Sequence, residues 1–113
     1  MPIFITQGRY TQSAVSELIA NPESRAEAVE KMIIAAGGKL HSYYMTFGEY
    51  DFLTIVEAPD EKTVLATLAV AAAGGGVTDL KTTIAVNSAD MKDAFERAKS
   101  LAPKVGGVVL PRT

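Results

Sequence analysis

The sequence predicts an α+β domain of the ferredoxin-like, or split βαβ, plan: one four-stranded antiparallel sheet with helices on one face, plus an extra C-terminal helix. Three observations predict it. Short runs of β-forming residues alternate with helix-period runs in the order strand, helix, strand, strand, helix, strand, helix. Glycine clusters mark the changes of period at Gly37-Gly38, Gly48 and Gly74-Gly75-Gly76. The length of 113 residues is that of one domain, with a core over residues 3–86 and a C-terminal helix and tail over 88–113.

Each element follows from local chemistry. Ile3, Phe4 and Ile5 open the first strand. Thr11 is a helix N-cap, and Ala14, Val15, Leu18 and Ile19 form the stripe behind it. Asn21-Pro22 interrupts that helix, with Asn21 expected to cap a second one and Pro22 to take its first position. Val29, Met32, Ile33 and Ala36 fall at i, i+3, i+4 and i+7, one apolar face. Gly37-Gly38 ends the helix, since glycine tolerates the left-handed cap. Lys39–Phe47 and Tyr50–Glu57 read as strands joined by a two-residue Gly48-Glu49 turn. Asp60 caps the next helix, with Val64, Leu65, Leu68 and Ala72 as its buried stripe, and Gly74-Gly75-Gly76 stops it. Val77–Val86 is the fourth strand. Ser88 is expected to cap a last helix carrying Met91, Ala94, Phe95, Ala98 and Leu101 on one face, which Pro103 ends. The tail to Thr113 is either an arm onto a partner subunit or a disordered end.

Composition narrows the function. The chain is 48% hydrophobic and 21% charged, which supports an ordinary globular core. Eleven basic and 13 acidic residues give a net charge of −2. With no basic cluster, nucleic acid is not expected as the main partner. The absence of cysteine excludes disulfides, thiolate metal sites and Cys nucleophiles, and the single histidine excludes any site needing two. No metal cluster, no cofactor motif and no catalytic set is apparent. The glycine triplet runs from a helix into a strand, the reverse of a phosphate-binding loop. No bilayer-length apolar run and no secretory leader appear, so the expectation is a soluble cytoplasmic protein without membrane contact.

The hairpin register carries the main structural expectation. A two-residue turn pairs Phe47 with Tyr50, Met45 with Phe52, Tyr43 with Thr54 and His41 with Val56, all on one face. The opposite face then holds Leu40, Ser42, Tyr44, Thr46, Asp51, Leu53, Ile55 and Glu57. Leu53 and Ile55, like Ile3, Ile5, Leu80 and Ile84, suit packing under the helices. Tyr43, Met45, Phe47 and Phe52 would be left as an apolar patch, and such patches are rarely left in water. Two sheets are therefore expected to pack face to face in a homodimer through these four residues.

Gly48-Glu49-Tyr50-Asp51 followed by Phe52-Leu53, and then Glu57-Ala58-Pro59-Asp60, resembles the signature of the GYD domain family. Tyr10-Thr11, Pro22-Glu23-Ser24-Arg25 and Tyr43-Tyr44 extend the resemblance over roughly residues 3–86. It implies a small ferredoxin-like domain of the dimeric α/β-barrel group and implies no defined activity. Gly48-Glu49-Tyr50-Asp51, the following helix, and Gly76-Val77 with a Thr-rich strand are more weakly similar to the effector-binding domain of feast/famine (Lrp/AsnC) regulators. Those domains bind amino acids near this hairpin. No counterpart of the DNA-binding helix-turn-helix of such regulators is expected within these residues.

Four residues are candidate ligand contacts. His41 is either a general base or haem ligand, or a plain polar residue near a strand end. Asp51 either binds a ligand amine or braces the turn by accepting backbone N–H groups. Tyr44 and Tyr50 offer ring surface with a polar handle, and Tyr10 and Tyr43 could join them. The expected function is a non-catalytic module that binds or senses an amino-acid-like or aromatic metabolite as a homo-oligomer. The alternatives are a cofactor-free or haem-dependent enzyme of the dimeric α/β-barrel type, with His41 as base and Tyr43 or Tyr44 as donor, and a purely structural assembly protein.

Overall fold

The computed structural model describes residues 1–105, and the expected C-terminal arm falls outside them. Four strands, β1 (Ile3–Tyr10), β2 (Lys39–Met45), β3 (Phe52–Glu57) and β4 (Val77–Ala85), form one antiparallel sheet in the order β2-β3-β1-β4. Helices α1 (Gln12–Ala20) and α2 (Arg25–Ala35) link β1 to β2, and α3 (Glu61–Ala73) links β3 to β4. A further helix, α4 (Ser88–Leu101), leads into a short 3₁₀ turn at Ala102–Val105. This is the ferredoxin-like plan that the element order predicts.

The caps explain most boundaries. The Thr11 side chain accepts from the Ala14 N–H, and its hydroxyl donates to the Gly75 carbonyl, tying the start of α1 to the end of α3. Asp60 accepts from the Thr63 N–H at 2.8 Å. Gly74 closes α3, and Gly75 takes the left-handed conformation at φ 76°. Two expected caps are displaced. Asn21 closes α1 rather than opening α2: its backbone N–H and its side-chain amide both donate to Glu17. With Asn21 so occupied, α2 starts three residues beyond Pro22, behind Ser24. Asn87, not Ser88, caps α4 by accepting from the Asp90 N–H at 2.8 Å.

The hairpin keeps its predicted phase but not its tight turn. Met45 pairs with Phe52 and Tyr43 with Thr54. The strands stop short of Gly48-Glu49, and a longer loop is closed by the Thr46 N–H donating to the Asp51 carbonyl and the Thr46 hydroxyl donating to the Tyr50 carbonyl. The register slips by one residue between Leu40 and Ser42, so Leu40, not His41, lies opposite Val56. His41 is the extra residue of a β-bulge.

The two faces of the sheet are reversed relative to expectation. The core beneath the helices comprises Phe4, Val56 and Ala58 with Ile33 of α2 and Val64 of α3. Phe52, Thr54 and Thr6 are buried on the same side. Ile3, Ile5, Leu53 and Ile55 point the other way and are only half-buried. Strand alternation could not separate these sets, because both faces of β1 and β3 are largely apolar. The larger rings of Phe4 and Phe52 lie on the side under the helices. The bulge then brings Leu40 onto the core side together with Tyr43. On α3, Leu65 of the expected stripe is exposed, and the inward face is Val64, Thr67, Leu68 and Ala71.

Helix α4 leaves the body of the domain. It packs substantially only against its own 3₁₀ extension and buries none of its residues. Phe95 on its apolar stripe is 67% exposed. The radius of gyration is 18.4 Å, against about 13 Å for a compact chain of this length.

Candidate functional site

A cavity of about 690 Å³ lies between the sheet and helices α1, α2 and α3. Its floor is Phe4, Thr6, Phe52, Thr54 and Val56. The helices close over it with small or tapering side chains: Ala14 and Leu18 from α1, Ala28 and Val29 from α2, Thr67, Leu68 and Ala71 from α3. These residues line the space without filling it. Glu17, Asn21 and Glu23 form one exposed rim, and Val70 and Gly75 the other.

Three rings define one end. Phe52 lies between Tyr10, at 5.3 Å between ring centroids, and Tyr43, stacked at 6.0 Å. The two tyrosine hydroxyls are hydrogen-bonded to each other across β1 and β2. Burial pushes the Tyr43 phenol well above its ordinary pKa, and the Tyr10 hydroxyl adds to the rise. The nearby Arg25 guanidinium opposes it. Tyr43 is therefore a neutral O–H group throughout the physiological range. Arg25 also pairs with Glu23 at 2.9 Å, placing a cation at the mouth.

None of the four expected ligand contacts lines this cavity. Tyr44 is on the open face and is 57% exposed, because the reversed faces send it away from the helices. His41, displaced by the bulge, pairs with Glu57 at 2.9 Å near the end of the sheet. Asp51 acts within the backbone: its Oδ2 accepts the Tyr10 N–H at 2.9 Å, and its own N–H donates to the Gly8 carbonyl at 2.8 Å. Arg9 donates to the Glu49 carbonyl at 2.7 Å, and its guanidinium carbon lies 5.8 Å from the centre of the Tyr50 ring. The Gly48-Glu49-Tyr50-Asp51 segment thus clasps the end of β1. On β4 opposite, Asp79 has a φ of 52° at an irregularity in the β1–β4 pairing.

The expected interface residues also divide. Tyr43 and the 5%-exposed Phe52 belong to the cavity, so neither contributes to an open apolar face. Met45 is 62% exposed and Phe47, in the loop, 99% exposed. Tyr43 and Tyr44 occupy opposite faces, and His41 pairs with Glu57 rather than lining the cavity with Tyr43. The cavity residue that the sequence reading missed is Arg25. Its signal was its phase: it lies four residues before Val29 and seven before Met32, a charge on the apolar stripe.

Two predictions arise here. Asp51→Ala removes the acceptor for a part-buried backbone N–H and is expected to cost about 1–3 kcal/mol, with Asp51→Asn milder because it keeps an oxygen acceptor. Chemical denaturation of both variants checks it, and equal losses would show that the bond to Tyr10 is not what Asp51 contributes. The second concerns pH. The hydrogen bond from His41, aided by its charge, holds the Glu57 carboxyl below the usual carboxylate range. A lowered folded pKa contributes stability that is present above the unfolded value of about 4.3 and is lost as pH falls through the folded value. The Tm difference between wild type and Glu57→Gln should therefore shrink on acidification below about pH 4. A difference that is constant from neutral pH to acid would rule the ion pair out as its source.

Among the described residues no group of three or more His, Asp or Glu side chains is placed to hold a metal ion, and no helix is long and apolar enough to cross a membrane. Comparison with known proteins extends the picture. A 77-residue stretch is 32% identical to the "glutamine synthetase and cystathionine beta-lyase binding protein" of Thermus thermophilus, covering 68% of this chain and 81% of that protein. A solved feast/famine regulator (FFRP) chain is similar over 76% of this chain and its own entire length, at 18% identity and a TM-score of 0.47. The model of the GYD domain matches residues 4–95, and the chain belongs to the GYD domain family.

Proposed function

We propose that the chain is a non-catalytic binding module that acts as a homo-oligomer and holds a partner protein or a small ligand. The observation that carries this is the open face of the sheet. Ile3 and Ile5 of β1 lie beside Leu53 and Ile55 of β3 on the side away from the helices, flanked by the exposed Tyr44. Four aliphatic side chains on adjacent central strands form the kind of contiguous apolar patch that marks an interaction surface. A second copy presents the same surface, which two-fold pairing makes self-complementary. The proposed homodimer keeps the face-to-face arrangement expected from the sequence, with Ile3, Ile5, Leu53 and Ile55 proposed for its contact in place of Tyr43 and Phe52. A role in binding protein partners is supported by the Thermus relative, which is named for two enzymes it binds.

Light scattering on the purified chain tests the first part. A dimer or a multiple of it is expected, and Ile55→Lys should drive it toward monomer by burying an unpaired charge at the contact. The second part is tested by titrating the chain against purified glutamine synthetase and against a panel of amino acids. A monomer that binds neither would overturn the reading.

A further inference from the structure

We propose that the sheet–helix cavity is a binding site for an amphipathic monocarboxylate, whose apolar body lies on Phe4, Phe52 and Val56 and whose carboxylate meets the Tyr10–Tyr43 hydroxyl pair and Arg25. This names a ligand class for the binding-module reading and rests on it, but uses a different surface from the open face and none of the residues Tyr44, Tyr50, Asp51 or His41.

The form of the cavity is the first support. Sites for small molecules are concave, of about 300–1,000 Å³, mostly apolar, with a few converging polar groups. At about 690 Å³, with aromatic and aliphatic side chains on its floor and alanines in its roof, this cavity has that form.

The proton count at the tyrosine pair is the second. Each phenol carries one O–H. One is used between the two oxygens, where Tyr10 and Tyr43 meet. The other remains to donate to a third group, and that group must be an acceptor. Burial of Tyr43 and its contact with Tyr10 keep its proton in place.

The third support is charge. Arg25 stands beside Tyr43 at the cavity edge and is the cation among the lining residues, its present counter-ion being Glu23 on the exposed rim. An incoming carboxylate can take an Arg25 N–H and the free tyrosine O–H together, with Glu23 turning to solvent. Charge-assisted bonds of this type are about twice as strong as neutral ones. A neutral amide of the same shape would keep the tyrosine bond and lose most of the arginine one.

The test uses the full chain and two probe acids, octanoate and 3-phenylpropionate, each with its primary amide. Calorimetry gives stoichiometry and affinity. Tyrosine emission gives a local readout, because the chain has four tyrosines, two of them on the cavity wall, and no tryptophan. The expected result is one acid per chain. The acid should bind at least tenfold more tightly than its amide in wild type, and that preference should collapse in Arg25→Gln. The double variant Tyr10→Phe/Tyr43→Phe keeps both rings and removes both hydroxyls, whichever of them holds the free proton, and should weaken acid and amide alike by about tenfold. Ala71→Phe puts a ring into the cavity from a half-exposed helix position and should abolish binding of all probes with the helical circular-dichroism signal retained. No saturable binding of either acid at millimolar concentration would overturn the proposal. So would binding that is indifferent to Tyr10→Phe/Tyr43→Phe, a pair of changes too conservative to unfold the domain. Failure of every probe by a chain that still dimerises and binds its protein partner removes the cavity site alone; the module reading would stand.

Discussion

Phe52→Ala is expected to destabilise the domain by about 3–5 kcal/mol, a large part of the 5–15 kcal/mol typical of a small domain. The ring is 5% exposed and sits between those of Tyr10 and Tyr43. Gly8 lies beneath it: a Cβ there would stand 2.7 Å from the Phe52 ring and 2.8 Å from Leu80. The absence of a side chain at Gly8 leaves room for the tip of this ring. Removing the ring loses its transfer energy, unstacks two tyrosines and enlarges the existing cavity. Phe52→Leu retains most of the volume and should cost clearly less. Urea denaturation of both variants checks the order. A loss below about 1 kcal/mol for Phe52→Ala would mean that the neighbouring rings collapse into its place.

Gly38→Ala is the second large effect, and its cause is backbone rather than packing. A Cβ at Gly38 would stand 2.4 Å from the Glu57 carbonyl oxygen and 3.1 Å from Ile33. Neither neighbour can give way cheaply. The carbonyl belongs to β3, and Ile33 is one of the five residues of the core cluster. The start of β2 must move away from β3, just where Lys39 begins to pair with Glu57. The cost should exceed the roughly 1–3 kcal/mol of ordinary overpacking. Gly74→Ala is the control. Its φ is −69°, its added Cβ meets only ordinary contacts, and its effect should stay within about 0.5 kcal/mol. Melting temperatures of the pair decide it, and similar values would show that β2 accommodates the shift.

The order of elements was legible because each boundary has its own chemistry: Thr11, Asp60 and the glycine clusters are read without tertiary knowledge. The hairpin phase was legible too, because a loop centred on Gly48-Glu49 pairs Met45 with Phe52 and Tyr43 with Thr54 whether it holds the two expected residues or the longer observed stretch. The choice of faces was not. Ile3, Ile5, Leu53 and Ile55 make as good a core on paper as Phe4, Phe52 and Val56, and period-2 alternation carries no information when both phases are apolar. The bulge at His41 left no mark in the sequence and put Leu40 opposite Val56, the partner expected for His41. The site inherited these errors, so that Tyr43 and Tyr44 exchanged roles. Asp51 was legible as a brace or a ligand contact, and only the position of the Tyr10 N–H distinguishes the two.

Tyr43 and Tyr44 are neighbours in sequence, one under the helices and one on the open face. A single peptide unit therefore separates an occupant of the cavity from anything docked on the other side of the sheet. Coupling between the two would need no long chain of intermediaries, since one strand carries both tyrosines. Thermodynamic reciprocity then sets the terms, since any factor by which a cavity ligand alters affinity for a docked partner must equal the factor by which that partner alters affinity for the ligand. The β2 edge strand is a partition about one residue thick, with one tyrosine of the pair on each side.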